Sequence, residues 1–408
     1  MRRSSSAEVD VAVIGAGPIG LSVAWRAALS GCSVVVLERD APGSGTARHA
    51  AGMLGPVAEV TAGEEPLLAL GLRSAELFGA FVDELQDASG MSVGYTRCGT
   101  LLVARDDDEA SALERELALR VDLSLAVERL RPSAARRLEP ALAPALRLAL
   151  DVPGDHAVDP RALVSALAAA LRAAGGELRC GAPVASVDVD SGRVRGVVLE
   201  DGGTVRAARV VICAGVWSGG LRGLAADQLV ALRPVKGQIL RLHDPAGPGL
   251  LTRVIRMGPS YITPRGDGRY VIGATSEERG FDQTVTAGAA FELLRDASEL
   301  VPGVSELVID EFTAGLRPAT PDNLPAIGPA PGVDGLWWAV GHRRGGILLS
   351  PVTAELIVDE LTGTSSSDAQ AVGADVIAAL DPGRFAGRPS GGRAAHAAPG
   401  GAPLGSAA

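Results

Sequence analysis

The sequence predicts an α/β + β fold that begins with a Rossmann-like unit and continues into a domain built on a mixed sheet. Two observations support this prediction. Residues 9–37 have the pattern of a buried strand, a glycine-rich turn, an Ala/Leu-rich helix and a second buried strand, which is the size of one βαβ unit. Beyond Leu232 the apolar pattern becomes β-type in three successive segments, residues 238–242, 260–264 and 270–274.

The composition is that of a globular chain with a large core. Of 408 residues, 47% are hydrophobic and 21% are charged, and the formal net charge is −10. A chain this acidic, with no basic tract and only 3% aromatic residues, lacks the surface that nucleic acid binding requires. Its four cysteines and five histidines show no metal-ligand spacing, so we expect neither a nucleic acid partner nor a metal.

The N-terminal region contains no segment that indicates targeting or membrane insertion. Its arginines are not followed by the uninterrupted apolar region and cleavage site of a signal peptide. Glycine and proline residues divide the apolar stretch 11–37, which favours strand, turn and helix over a membrane helix. We therefore expect a cytoplasmic protein without membrane contact.

A glycine-rich turn carries the most specific functional signal. Residues 15–20 read Gly-Ala-Gly-Pro-Ile-Gly, between a buried strand and a helix. Gly15 permits the tight turn, Gly17 lets the backbone approach a pyrophosphate, and Gly20 lets the helix pack close to the strand. The helix N-terminus offers N–H groups to phosphates, and Glu38 can accept ribose hydroxyls. The unit predicts a site for a dinucleotide with an unphosphorylated ribose, NAD or FAD.

The remaining elements are predicted in order along the chain. Helical spacing of apolar residues predicts helices over residues 66–89, 107–121, 161–174, 287–301 and 350–361. Three strands separated by turn residues are predicted to form a meander over residues 184–189, 193–199 and 205–212. A further strand is predicted over residues 335–340. Residues 383–408 contain almost no large apolar side chains and are predicted to form a disordered tail.

Further motifs resemble the D-amino-acid oxidase superfamily and, within it, the FAD-dependent glycine oxidases of the thiamine pathway. The resemblance covers roughly residues 8–361. The segments that carry it look like the second flavin-contact loop (44–54, SGTARHAAGML), the Pro-x-Lys-Gly-Gln segment (233–238), the substrate-domain hairpin (261–265 and 271–275), the carboxylate-binding strand (315–318 and 321–323) and the closing flavin loop (341–348, GHRRGGIL).

The resemblance implies where cofactor and substrate bind. FAD would contact Gly15, Gly17, Pro18, Ile19, Gly20, Glu38, Arg39, Thr46, Ala47, Ala51, Gly52, Met53, Val184, His342, Arg343, Arg344, Gly345, Gly346, Ile347 and Leu348. The substrate would contact Tyr261, Arg317 and Arg344. The flavin itself accepts the hydride, and no side chain needs to act as a catalytic base if the amine reacts in its neutral form.

These residue types suit an amino acid substrate. A guanidinium binds a carboxylate through two parallel charge-assisted hydrogen bonds, and Arg317 is the candidate, with the Tyr261 hydroxyl as a second donor. The resemblance implies that glycine is oxidised to an imine and glyoxylate and that oxygen is reduced to hydrogen peroxide. Without the family, Arg317 would more often be a solvated surface arginine and Tyr261 a packing residue.

Three residues depart from the glycine oxidase pattern. Arg343 stands where those enzymes carry an aromatic residue, and Gly345 where they carry Asn, which would alter loop closure or the flavin potential. His49 precedes Ala-Ala-Gly, as in dimethylglycine dehydrogenases, whose histidine bonds the flavin covalently. Noncovalent FAD is favoured because the rest of the chain matches the glycine oxidases better.

The sequence leaves several other functions open. The enzyme could prefer sarcosine, dimethylglycine or a D-amino acid, or could reduce an electron carrier instead of oxygen. A NAD-dependent dehydrogenase would need an acid/base residue in a second domain, where no His–Asp or Lys site is evident. A flavin-binding protein without activity is disfavoured by the joint presence of Tyr261, Arg317 and Arg344.

The resemblance also implies a discontinuous, D-amino-acid oxidase-like domain organisation. The FAD-binding domain would comprise residues 8–85, 150–225 and 325–363, and the mixed-sheet substrate domain would comprise residues 86–149 and 226–324. A homo-oligomer is expected, with the tetramer as a form common among glycine oxidases.

Overall fold

The computed structural model describes residues 8–364 and 371–386. Its strands form two eight-stranded sheets and one two-stranded sheet. The strands are β1 (Val9–Ile14), β2 (Val34–Leu37), β3 (Met53–Leu54), β4 (Thr100–Ala104), β5 (Glu128–Leu130), β6 (Leu148–Val152), β7 (His156–Ala157), β8 (Glu177–Arg179), β9 (Val184–Asp190), β10 (Arg193–Leu199), β11 (Thr204–Ile212), β12 (Arg233–His243), β13 (Val254–Met257), β14 (Ser260–Pro264), β15 (Arg269–Gly273), β16 (Val308–Ala319), β17 (Ala326–Pro329) and β18 (Leu336–Val340).

Helices cover one face of the first sheet and pack on the second. They are α1 (Pro18–Leu29), α2 (Glu65–Ser89), α3 (Asp107–Asp122), α4 (Pro132–Leu138), α5 (Pro160–Ala173), α6 (Ala287–Leu300), α7 (Ser350–Thr362) and α8 (Ala374–Leu380). The five long helices predicted from apolar spacing correspond to α2, α3, α5, α6 and α7, with ends that differ by one residue.

The first sheet has the strand order β17-β18-β11-β1-β2-β8, and β9 and β10 extend it beside β11. Strand β1 lies at its centre and pairs in parallel with β2 and β11. Helices α1, α2, α5 and α7 cover one face, and the β9–β11 meander packs against the other. Because β1 is covered on both faces, residues 11–14 are all buried, as the unbroken apolar run predicted.

The second sheet has the order β16-β12-β15-β14-β13-β4-β6-β5. Alternate residues along its strands face opposite sides. Leu240 and Ile262 pack in a core with α6, whereas Ile239 and Tyr261 face the other side, together with Ala51 from the loop before β3. The face of this sheet that lies opposite α6 packs partly against α3 and partly against the loop before β3.

Two predicted boundaries need correction. Strand β6 belongs to the second sheet, although the predicted domain boundary at residue 150 divides it. Residues 383–386 are not part of a disordered tail, because Phe385 is 1% exposed and packs in the core beneath the first sheet. Phe385 and the hydrogen bonds of Arg384 to Asp322 and to the Leu324 carbonyl hold this turn, and composition over a long window does not reveal these contacts. The rest of the predicted tail lies outside the described residues.

In the part of the chain that the structure describes, no helix combines the length and the apolar character that a membrane crossing needs.

Candidate active site

The turn between β1 and α1 forms an open cradle of backbone. Gly15 has a φ of +103°, and a Cβ there would lie 2.7 Å from the carbonyl oxygen of Cys213. A Cβ on Gly17 would meet nothing within 4 Å, so the space above it is free for a ligand. No side chain caps the N-terminus of α1 among the described residues, which leaves its first N–H groups to an anion. This cradle fits the pyrophosphate of FAD.

Glu38 follows β2 and lies beside the cradle. Its carboxylate accepts hydrogen bonds from the N–H of Ala16 at 2.8 Å and of Asp40 at 2.9 Å. A carboxylate has about four acceptor positions, so Glu38 can still accept ribose hydroxyls. Val184 begins β9 close to this point, since the N–H of Ala182 donates to the Glu38 carbonyl at 2.9 Å.

A cleft opens between the loop before β3 and the face of the second sheet that lies opposite α6. It gathers nine of the predicted site residues, Thr46, Ala51, Gly52, Met53, Tyr261, Arg317, Arg343, Arg344 and Ile347. Its other lining residues are His49, Ala50, Glu59, Val235, Gly237, Arg256, Pro259, Ala274, Thr275, Ser276 and Gly315. The cleft therefore joins residues of the loops 44–54 and 341–348 to the strands of the second sheet.

Arg317 reaches the cleft from β16. Its Nη1 donates a hydrogen bond to the carbonyl of Thr275 at 3.1 Å. The guanidinium lies over Gly237 of the neighbouring strand β12, where a Cβ would come within 2.4–2.6 Å of three guanidinium atoms. Within the described residues Arg317 makes no ion pair, so its charge is available to an anionic ligand.

Tyr261 lies beside this guanidinium on β14. Burial raises the pKa of Tyr261 above its usual value, and the nearby positive charge of Arg317 opposes this effect. The hydroxyl is therefore protonated, and it can donate to a carboxylate. Gly273 on β15 makes room for it, because a Cβ there would lie 2.5 Å from the hydroxyl oxygen.

Arg343 and Arg344 meet carboxylates at the edge of the cleft. Arg344 Nη2 donates to the carbonyl of Glu59 at 3.1 Å and to the Glu64 carboxylate at 3.3 Å. Arg343 has a φ of +46°, and its Nη1 lies 3.7 Å from the other oxygen of Glu64. The Glu64 carboxylate therefore lies near both of these adjacent positive charges.

The loop of residues 44–54 is closely supported by its surroundings. The Oγ1 of Thr46 donates to the carbonyl of Leu316 at 2.5 Å. Gly52 has a φ of +78°, and a Cβ there would lie 2.0 Å from the carbonyl oxygen of Val158. Ala47 is buried in the first core, and Met53 in β3 pairs with β7.

Several predicted cofactor residues lie outside the cleft. The His342 side chain is buried, its Nε2 lies 3.0 Å from Thr353 Oγ1 of α7, and burial lowers the pKa of His342 to about 3. This neutral imidazole joins the closing loop to α7 instead of facing the cleft. The remaining predicted residues that do not line the cleft are Gly15, Gly17, Pro18, Ile19, Gly20, Glu38, Arg39, Ala47, Val184, Gly345, Gly346 and Leu348.

Sequence reasoning missed four polar residues of the cleft, which are Glu59, Arg256, Thr275 and Ser276. The sequence did contain a signal for two of them: Thr275 ends the hairpin segment 271–275, and Arg256 lies five residues before Tyr261. Nothing in the spacing of Glu59 indicated a role. Within residues 8–364 and 371–386, no group of three or more His, Cys, Asp and Glu side chains is placed to hold a metal.

Two buried charged residues hold the loop that carries Glu59. The Asp155 carboxylate accepts from the N–H of Val57 at 3.3 Å and of Ala58 at 2.5 Å. Arg120, which is 0% exposed, donates from Nε to the Val57 carbonyl at 3.1 Å and from Nη2 to the Ala58 carbonyl at 2.9 Å. The backbone N–H and carbonyl groups of both Val57 and Ala58 are thereby hydrogen-bonded, which fixes the backbone next to the cleft.

We expect the stability contributed by Asp155 to depend on pH. Burial raises the pKa of Asp155 from 3.8 to about 7, so the folded state holds this proton more tightly than the unfolded chain does. The contribution is full below the unfolded pKa and decreases as pH rises through about 7. Asp155→Asn, which does not titrate, should therefore lose less stability than the native protein between about pH 5 and about pH 8. Urea unfolding of both proteins measures this, and parallel pH dependences would contradict it.

The chain resembles known flavoenzymes over most of its length. The profile of the DAO family, described as FAD dependent oxidoreductase, matches residues 10–360. A glycine oxidase of Geobacillus kaustophilus (strain HTA426) is 37% identical over 352 residues, covering 86% of this chain and 92% of that protein. The bifunctional protein ThiO/ThiG of Trichormus variabilis is 35% identical over 352 residues, covering 86% of this chain and 52% of that protein.

The fold agrees with the sequence matches. The crystal structure of glycine oxidase from Geobacillus kaustophilus superposes with a TM-score of 0.82 at 35% identity, covering 89% of this chain and 96% of that chain. These findings confirm the predicted resemblance, the Rossmann-like and mixed-sheet architecture, and FAD as the cofactor. The chain belongs to the DAO family of FAD dependent oxidoreductases.

Proposed function

We propose that the protein oxidises glycine, with FAD as the first electron acceptor and oxygen as the second. The observation that carries the proposal is the unpaired Arg317 guanidinium beside the neutral Tyr261 hydroxyl. Both face a cleft that residues of the second flavin-contact loop also line. The relatives named glycine oxidase support the choice of substrate.

The residues of the cleft would bind and orient the substrate. Arg317 would take the carboxylate through two parallel hydrogen bonds, and Tyr261 would add a third donor. Holding the carboxylate at these groups places the α-carbon in one orientation, which lowers the entropic part of the barrier. FAD supplies the hydride-accepting chemistry when it is bound. The cradle at Gly17, Glu38 and the loop of Thr46, Gly52 and Met53 would hold it.

The proposal includes the fate of the products and the state of the protein. The imine is hydrolysed to glyoxylate or consumed in thiazole synthesis for thiamine, and oxygen is reduced to hydrogen peroxide. FAD is held without a covalent bond through His49, whose pKa burial and nearby arginines lower to about 4. The protein acts in the cytoplasm as a homo-oligomer, and a tetramer is one form that it can take.

Aerobic incubation with an amine panel tests the proposed function. With glycine, we expect equal amounts of hydrogen peroxide and glyoxylate, and lower kcat/KM values with sarcosine, dimethylglycine and D-alanine. Faster turnover of sarcosine or dimethylglycine would assign the alternative N-methyl activity. Turnover of glycine only with an artificial electron acceptor would exclude oxygen as the oxidant. Acid precipitation should release all of the FAD into the supernatant, whereas flavin retained in the pellet would indicate the covalent bond.

A further inference from the structure

Arg256 brings a second unpaired guanidinium to the cleft. The side chain is half-buried on β13, and its Nη1 donates to the carbonyl of Ala58. Its Nε is buried without a hydrogen-bond partner, and among the described residues Arg256 makes no ion pair. Its Nη2 donates no hydrogen bond within the described residues and, unlike Nε, is not among the buried atoms. Arg256 can therefore donate from Nη2 to an acceptor that enters the cleft.

The register of the second sheet places Arg256 next to the carboxylate-binding pair. Arg256 is directly opposite Tyr261 in the antiparallel pair of β13 and β14, so the two side chains lie on the same face of the sheet. Residues opposite one another have Cβ atoms about 4.5–5.5 Å apart. Arg317 lies on the other side of Tyr261, near enough for its charge to oppose the rise in the pKa of the hydroxyl. Two guanidinium groups thus flank one hydroxyl on the wall of the cleft.

The other charges around the cleft do not compensate Arg256. Arg343 and Arg344 are near Glu64, and the Glu59 carboxylate lies 4.0 Å from Arg344. His49 is neutral near pH 7, since its pKa is lowered to about 4. Arg120 donates to the same Ala58 carbonyl oxygen as Arg256 does, and it adds positive charge. When a substrate with a single carboxylate binds at Arg317, the positive charge of Arg256 still has no anionic partner within the described residues.

We propose that Arg256 binds a second acid group of the substrate, so that the cleft accepts small amino acids with two carboxylates. This inference rests on the proposed function, because it assumes that Arg317 binds the carboxylate next to the oxidised carbon. The second acid group could be attached to the nitrogen, as in iminodiacetate, or to the α-carbon, as in D-aspartate. The chemistry is that of glycine oxidation. For iminodiacetate, a hydride leaves the carbon for FAD, the nitrogen loses a proton, the C=N bond forms, and water hydrolyses it to glyoxylate and glycine.

Matched acid and amide substrates test the proposal in the FAD-loaded enzyme. We compare kcat/KM for iminodiacetate with that for its monoamide, and for D-aspartate with that for D-asparagine. Each pair differs by one charge at nearly constant shape. A charge-assisted hydrogen bond should favour at least one acid over its amide by roughly tenfold to a hundredfold. The pair that shows the preference identifies where the second acid group is attached.

Variants of Arg256 assign the preference to this residue. In Arg256→Met the acid-to-amide ratio should fall to about one, and Arg256→Lys should retain part of it. The ratio is internal to each variant, so a general loss of activity through the Ala58 contact cancels. The proposal would be overturned if the unmutated enzyme had an acid-to-amide ratio of kcat/KM near one for both pairs. It would also be overturned if the unmutated enzyme preferred an acid and Arg256→Met kept that preference.

Ligand binding separates this inference from the proposed function. Calorimetry with the holoenzyme should give a lower Kd for malonate than for its monoamide, and Arg256→Met should abolish the difference. If glycine is not oxidised but the malonate difference depends on Arg256, the proposed function fails and the second acid site stands. If glycine is oxidised and malonate shows no preference, only the second acid site fails.

Discussion

Replacing Arg317 with alanine should give a yellow, folded enzyme whose KM for glycine is raised roughly 10²–10³-fold. The change removes both hydrogen bonds to the carboxylate and leaves that anion in a cleft without its partner. FAD should remain bound, because the cradle at Gly17 and Glu38 belongs to the first sheet and Arg317 to the second. Steady-state kinetics and the flavin absorbance per protein measure the two effects.

Two further variants control for nonspecific damage at this position. Arg317→Lys keeps the charge but loses the planar fork, so its KM should be intermediate. Gly237→Ala keeps the arginine at position 317 but places a methyl group 2.4–2.6 Å from the present positions of three guanidinium atoms. It should raise KM by displacing the guanidinium, with a smaller effect than its removal. An unchanged KM for glycine in Arg317→Ala would show that the carboxylate binds elsewhere.

Gly20→Ala should give a colourless and less stable protein. A Cβ at this position would lie 2.0 Å from the carbonyl oxygen of Gly15 and 3.1 Å from the Cβ of Cys213. Neither neighbour can move easily, because β1 is paired on both sides and α1 packs against the sheet. Helix α1 must therefore shift, which misplaces the cradle. Overpacking of this kind costs typically about 1–3 kcal/mol. The flavin absorbance per protein and the Tm of the apoprotein measure the result.

Gly17→Ala is the matched control, because it separates a clash with FAD from a clash within the fold. Gly17 has a φ of −80°, which alanine adopts freely, and its Cβ would meet nothing within 4 Å. The apoprotein of Gly17→Ala should have the native Tm but a weakened affinity for FAD, since the methyl group enters the cradle. Native Tm and full flavin content in Gly20→Ala would refute the close approach of helix and turn.

The elements that could be predicted from the sequence are those whose signal is local. The β1–α1–β2 unit has unbroken apolar strands and a glycine turn within 30 residues, and the long helices have a clear period. Strands β4 and β6 were missed because short apolar runs do not distinguish strand from helix. Strand β16 was missed as a continuous element because its first half carries charged residues at the edge of the sheet.

The site shows the same division between local and distant information. A resemblance in short motifs was enough to select Arg317 and Tyr261, although they belong to strands that are 56 positions apart in the chain (317 − 261). It could not place the His342 side chain, whose direction depends on Thr353 of α7. It also could not pair Arg344 with Glu64, since that contact joins residues 280 positions apart.

The amino-acid sequence by itself determined the class of fold, the dinucleotide cradle and the flavoenzyme family, because each is encoded in a short segment with its own physical requirement. Only the tertiary structure decided which charges of the cleft are already paired and which are free. Arg343 and Arg344 meet Glu64, whereas Arg256 and Arg317 meet no carboxylate within the described residues. The reason is that charge compensation acts through space, over a few ångströms, between residues whose distance along the chain carries no information about it.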